Sequence, residues 1–381
     1  MKDTPFIYGV TVSNHCFTDR EEESEKLRRN LTSGINTMIL SPRRLGKSSL
    51  VEKVMADIKK KDKNHRTVLI DLFSVASQGE FLQLYAREVI KASSGQWQEW
   101  VNNGKTFFKQ LIPVFSLGID PNTDFNVSFD WKEIMKHSDE ILNLPEQIGT
   151  KKGIKFIIAL DEFQNLAETE NFAVFEKKLR ACWQRHKQVT YCLYGSKRQM
   201  MTDIFNNPSK PFYRFGDIIN LQKIPSEKWV KFITGNFKES GKNISEEDAL
   251  RIATLMKNHP WYVQQLSHYT WNKTSRKAGK NEIASALEEL INANTPLYQR
   301  ETDLLSQMQI NLLKAILKGE KKFTSAAIMQ NYFLGTPRNV SKNKESLLRN
   351  EIIIEVNGEY EMIDPAFELW FRRVFLKEKM Q

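Results

Sequence analysis

A short apolar run, Thr37-Met38-Ile39-Leu40, passes through Ser41-Pro42-Arg43-Arg44-Leu45-Gly46-Lys47-Ser48 into the amphipathic stretch Ser49-Leu50-Val51-Glu52-Lys53-Val54. Strand, basic turn and helix in that order commit the chain to an α/β unit, because a buried parallel strand needs a helical crossover to reach its neighbour. The turn fits the phosphate-loop template G-x-x-x-x-G-K-[ST], with Ser41 where the first glycine is usual. In that geometry the backbone N–H groups and the helix N-terminus face phosphate oxygens. Lys47 then bridges the outer phosphates, and the Ser48 hydroxyl is a magnesium ligand.

A second feature supports the first. The apolar run Ile157-Ile158-Ala159-Leu160 ends in Asp161-Glu162. A carboxylate at the C-terminal end of a strand can hold magnesium or its water, and one beside it can orient or deprotonate the attacking water. We therefore read Asp161 as the metal-side carboxylate and Glu162 as the water-activating one, with ATP and Mg2+ as the implied ligands. The next strand ends at Tyr194-Gly195-Ser196, where Ser196 either senses the γ-phosphate or caps a helix. Arg214, before a fifth strand at 217–221, either meets a phosphate of its own or a neighbouring subunit or forms a surface ion pair.

The remaining strands are expected at 67–73, 155–160 and 190–194, with helices near 80–92 and 172–185 between them. This pattern predicts a parallel sheet covered on both faces. An insertion of about 95–149 carries a hairpin candidate formed by 114–119 and 125–129 around Asp120-Pro121-Asn122-Thr123-Asp124. Beyond Pro225 the pattern turns to helices, expected at 227–239, 246–257, 261–271 and 282–292. From about Thr302 come helices at 304–317, 325–332 and 338–349, then two short strands joined by Asn357-Gly358, the arrangement of a winged helix-turn-helix. The expected domains are 1–224, an ATPase domain of P-loop NTPase type; 225–300, a helical lid; and 301–381, a winged helix.

At 381 residues the chain is long enough for two or three domains of about 100–200 residues each. No apolar run approaches the about 20 residues that span a bilayer, and no secretory leader is visible, so a cytoplasmic protein without membrane contact is expected. Cys16, Cys182 and Cys192 have no metal or redox spacing and read as free thiols. The net charge of +10 makes an anionic partner plausible without choosing among nucleotide, nucleic acid and solubility.

These residues resemble the archaeal-type predicted ATPases of the AAA+/STAND class. The resemblance spans Pro5-Phe6-Ile7-Tyr8-Gly9, Phe17-x-x-Arg20-x-x-Glu23, the loop Pro42 to Ser49, and Leu160-Asp161-Glu162-Phe163-Gln164. It continues through Gly195-Ser196, Asn258-His259-Pro260-Trp261-Tyr262 and the closing Tyr360 to Trp370 segment. It implies ATP and magnesium between a nucleotide-binding domain and a helical lid, with Phe6 to Tyr8, Phe17 and Arg20 near the adenine and ribose. Asn258-His259-Pro260 stands where that family has Gly-x-Pro, and asparagine can adopt the left-handed turn such a motif needs.

Two functions compete. In the first, ATP drives a switch whose winged helix binds double-stranded DNA through Arg338, Lys342, Lys344 and Arg349, with Asn339 and Ser341 reaching base edges. In the second, a slow-turnover signalling scaffold binds a protein or a further copy of the chain, with Trp261, Tyr262, Trp271 and Phe107-Phe108 as candidate contacts.

Overall fold

The computed structural model describes residues 4–10, 20–93, 115–118, 126–129 and 134–378. The chain divides into two compact units, one made of Arg20–Arg43 and Lys47–Gln222, the other of Met1–Asp19, Arg44–Gly46 and Lys223–Gln381.

In the first unit five strands form one parallel sheet: β1 Thr37–Leu40, β2 His65–Asp71, β5 Lys155–Asp161, β6 Val189–Tyr194 and β7 Asp217–Asn220. Their order is β2-β5-β6-β1-β7. Helices α1 (Glu21–Thr32), α2 (Lys47–Lys61), α3 (Gln78–Ser93), α4 (Ser138–Lys152), α5 (Phe172–Trp183) and α6 (Arg198–Asn206) accompany it. β1 and β6 are buried at every residue. Strands buried on both faces read as continuous apolar runs, which is why the sequence exposes them. Because β1 is flanked by β6 and β7, and β5 by β2 and β6, the loops after β1 and β5 leave the same edge of the sheet one strand apart.

The strands Phe115–Gly118 (β3) and Asn126–Phe129 (β4) pair antiparallel. The expected insertion is shorter at its end, however. Helix α4 places Ile141, Leu142, Leu144 and Ile148 in the main core, and Pro145 lies inside it. Pro145 and the polar stretch before it obscured that periodicity, because proline within a helix is read as a stop.

The second unit contains α7 (Ser226–Glu239), α8 (Glu246–Leu255), α9 (Pro260–Lys273), α10 (Lys280–Asp303), α11 (Gln307–Leu317), α12 (Ala326–Asn331), α13 (Pro337–Arg349) and α14 (Pro365–Phe375). Short strands β8 (Asn243–Ile244) and β9 (Lys277–Ala278) pair in parallel, and β10 (Ile353–Val356) and β11 (Glu359–Met362) form an antiparallel hairpin. Asn357 and Gly358 both have positive φ, 52° and 81°, as a two-residue primed turn requires. The expected boundary at 300/301 falls inside α10, which runs on through Pro296 rather than ending near Asn292. Packing outweighs the break: Tyr298, beyond the proline, is 2% exposed and stacks on Phe367 with centroids 5.1 Å apart. Helices on both sides of that expected boundary therefore share one core, in which Trp229, Ile233 and Phe237 join Phe367 and Trp370.

Tyr262 and Trp271 belong to that core, and Trp261 packs against it. They are packing residues rather than exposed partner contacts. Lys257 and Asn258 take φ of 48° and 59°, so the turn before α9 forms without glycine, and His259 is buried with its ring 4.8 Å from that of Tyr262. Phe107-Phe108, Cys16 and Phe17 lie outside the described residues.

Candidate nucleotide site

At the β1–α2 turn, Gly46 has φ 90°, a conformation that a side chain would strain. Ser41, at the usual glycine position, is fully buried, and its hydroxyl donates to the Pro42 carbonyl at 3.0 Å. Lys47 is 6% exposed. Its ammonium donates to the carbonyls of Pro42 (2.9 Å) and Ser41 (3.3 Å) and to Ser41 Oγ (3.2 Å). The serine thus supplies an acceptor for the lysine that glycine would lack. Pro42 is half-buried, Arg43 exposed and Leu45 buried, while Ser49 faces inward on the first turn of α2.

Across the sheet edge, Ser48 Oγ donates to Asp161 Oδ2 at 2.8 Å. A hydroxyl and a carboxylate meeting at that distance form a pair of hard oxygen donors, the chemistry that suits Mg2+ holding most of its waters. Burial, with the nearby charges of Glu162 and Asp71, raises the Asp161 carboxyl to about 6; the Ser48 hydroxyl and the Glu162 N–H act in the opposite direction. Nothing in the local sequence around Asp71 points to Asp161. Parallel pairing of β2 with β5 puts it level with Asp161, and a strand ending in a carboxylate was the available signal.

Glu162 adopts left-handed backbone, φ 51°, and makes no capping bond to the 3-10 turn Phe163–Glu168 that follows. Its Oε2 instead accepts from Ser196 Oγ (2.8 Å), from Ser196 N–H (3.2 Å) and from Gln164 Nε2. Ser196 thus turns to the carboxylate rather than to the helix after it.

The other sequence candidates are placed differently. Arg20 is 5% exposed and donates to Glu23 (2.7 Å) and to the Gln222 carbonyl (2.6 Å), tying the start of α1 to the segment after β7. Arg214 is exposed with φ 53°, its guanidinium 5.2 Å from the Tyr213 ring centre, and it makes no ion pair among the described residues. In the second unit, the Arg44 guanidinium lies 4.6 Å from the Trp261 ring centre and donates to Tyr262 Oη at 3.1 Å. Phe6 is buried there against Phe232 and Phe237.

On α13, Arg338, Ser341, Lys342 and Arg349 are exposed. Arg349 pairs with Glu345 at 2.9 Å, and the Lys344 ammonium sits 5.1 Å from the Tyr360 ring centre. Asn339 is half-buried; its Oδ1 accepts from Thr336 Oγ1 at 3.0 Å. The adjoining hairpin carries Glu355, Glu359 and Glu361 and no basic residue.

The five-stranded parallel sheet with the β1–α2 turn at its edge, accompanied by a C-terminal winged helix, is a fold shared with solved Walker-type and ORC proteins. Residues 296–373 match the family described as "Probable winged helix domain". Among solved structures, the chain is similar to a Walker-type ATPase of Pyrococcus abyssi, at 18% identity, TM-score 0.65, with 94% of this chain and 97% of that one covered. It is also similar to the ORC2 protein of Aeropyrum pernix in ADPNP–ADP complexes (12%, TM-score 0.56, 98% and 97% covered). A third is the ORC1 protein of the same organism in complex with DNA (12%, TM-score 0.50, 95% and 94%). No curated protein matches the chain in sequence. Among the described residues no helix is long and apolar enough to cross a membrane.

Proposed function

We propose that this chain is a cytoplasmic, magnesium-dependent ATPase that works as a molecular switch. The observation that carries the reading is the approach of Ser48 Oγ to Asp161 Oδ2 at 2.8 Å, beside the buried Lys47. Ser48 and Asp161 would hold magnesium, which when bound would neutralise phosphate charge. Lys47 exchanges its carbonyl partners for the outer phosphate oxygens, and Glu162 orients the attacking water and takes its proton. Arg214, exposed and without an ion pair among the described residues, is available to a phosphate in its own or a neighbouring subunit.

The reading extends to the other domains. Nucleotide state moves the lid, 225–300, and carries the winged helix with it, a coupling supported by the core those two parts share. In the leading version the winged helix then binds double-stranded DNA through Arg338, Lys342 and the helix N-terminus. The second version, a slow-turnover scaffold whose winged helix binds protein, is favoured by a hairpin with no basic residue of its own: Lys321 (2.5 Å) and Lys223 (2.8 Å) only offset Glu359 and Glu361, so the wing offers a phosphate backbone no net attraction.

Nucleotide content and ATPase rate of the purified protein, with and without duplex DNA over a salt series, test all of this. Magnesium-dependent turnover supports the core reading, and its absence together with undetectable ATP affinity refutes it. Duplex binding that weakens steeply with salt supports the DNA version; no duplex binding at low salt, with or without ATP, leaves the protein-binding version.

A further inference from the structure

Gln164 is fully buried two residues beyond Glu162. Its Nε2 donates to Glu162 Oε2 and, at 3.3 Å, to Asn165 Oδ1. Asn165 is itself tied to the end of β2, donating to the carbonyls of Leu72 (3.2 Å) and Phe73 (3.4 Å). The amide passes directly over Gly195, where an added Cβ would lie 1.8 Å from Gln164 Oε1 and 2.9 Å from Cδ. Glycine at the end of β6 is therefore a requirement of the Gln164 side chain.

Together with the hydroxyl and N–H of Ser196, Gln164 makes Glu162 Oε2 the acceptor of three donors. Glu162 Oε1 has no hydrogen-bond partner among the described residues. One oxygen is thus anchored from two directions and the other is left for water. We infer that Gln164 is a positioning residue for hydrolysis, fixing the Glu162 carboxylate through Oε2 so that Oε1 acts on the attacking water, with Gly195 admitting the amide. This rests on the ATPase reading above.

The test compares Glu162→Gln, Gln164→Leu, Gly195→Ala, Gln164→Ala and the Gln164→Ala/Gly195→Ala double variant in the full chain, each measured for kcat, KM, ATP affinity and Tm. Leucine keeps most of the glutamine volume and loses the donor, so Gln164→Leu should lower kcat by about 10- to 100-fold, the loss expected for one charge-assisted hydrogen bond. KM and ATP affinity should stay within about twofold. Gly195→Ala should lower kcat similarly, and in the Gln164→Ala background it should add at most about a twofold further loss, because the amide it displaces is gone and only the flexible Met201 Sδ, 3.3 Å from the added Cβ, has to give way.

A purely structural role would lower Tm while leaving kcat per folded molecule intact, and that result overturns the inference. So does a further loss from Gly195→Ala in the Gln164→Ala background as large as the one it causes alone. If Glu162→Gln abolishes turnover but Gln164→Leu does not reduce it, only the positioning role fails. If Glu162→Gln hydrolyses ATP normally, the reading beneath it fails as well.

Discussion

The edge of the sheet in the first unit and the outer face of α13 in the second both gather polar side chains, under opposite conditions. At the sheet edge, Ser41, Lys47 and Gln164 are buried, and donors converge on one acceptor oxygen. On α13, Arg338 and Lys342 are exposed and have no partner among the described residues, while Arg349 and Lys344 are engaged by Glu345 and Tyr360. Burial of polar groups is costly unless they are satisfied, and at the sheet edge the Lys47 ammonium and the Gln164 amide N–H are, while Gln164 Oε1 is buried without a hydrogen-bond partner among the described residues. Exposed charges cost little and are compatible with several partners.

The strongest challenge to this contrast lies at Glu162. Replacement by glutamine keeps the shape and removes the basicity, so turnover should fall by about 10²- to 10⁴-fold while ATP stays bound. Single-turnover hydrolysis read beside nucleotide retention checks it; normal turnover would reduce the sheet edge to packing.

Lys47→Ala should weaken ATP affinity by about 10- to 150-fold, equivalent to the loss of charged hydrogen bonds of about 1.5–3 kcal/mol. Direct titration measures this, and unchanged affinity removes the phosphate-loop assignment. Asp161→Asn should instead show itself as a weaker dependence on magnesium.

Burial predicts a pH effect as well. His186 is held between Tyr191 Oη (2.9 Å from Nδ1) and Asn143 Oδ1 (3.2 Å from Nε2), and burial lowers its pKa to about 4. Between about pH 4 and about pH 6.5 the unfolded chain binds a proton at this site that the folded chain does not. His186 therefore adds stability that is present above about pH 6.5 and lost as pH falls through about 4. Thermal melts should show Tm declining over that window, by several degrees at most for a unit of this size, and His186→Gln should flatten the decline. A wild-type curve unchanged by the substitution would mean that the ring titrates as an exposed histidine does.

The smallest effect belongs to the exposed face. If duplex DNA binds, Lys342→Ala should lower the salt slope by about one unit for every sequence, as should Arg338→Ala, whereas Lys344→Ala should change it less because its ammonium lies over Tyr360. Binding isotherms at several salt concentrations decide it. Equal slopes for all three variants and wild type would mean that the face serves something other than phosphate.

The amino-acid sequence by itself determined the strand-turn-helix of the phosphate loop, the carboxylate pair at the end of β5 and the Asn-Gly hairpin. In each of these the decisive atoms lie within about ten residues, where periodicity, turn chemistry and backbone preference act directly. Tertiary structure alone decided that Asp71 stands beside Asp161, since that depends on the register of β2 against β5. It also carried α10 through Pro296, where stacking of Tyr298 on Phe367 offsets a local helix-breaking preference. Gln164 and Gly195, too, could be quoted from sequence but not joined, because the close approach of an amide to an α-carbon 31 residues away is set by how two strand ends pack.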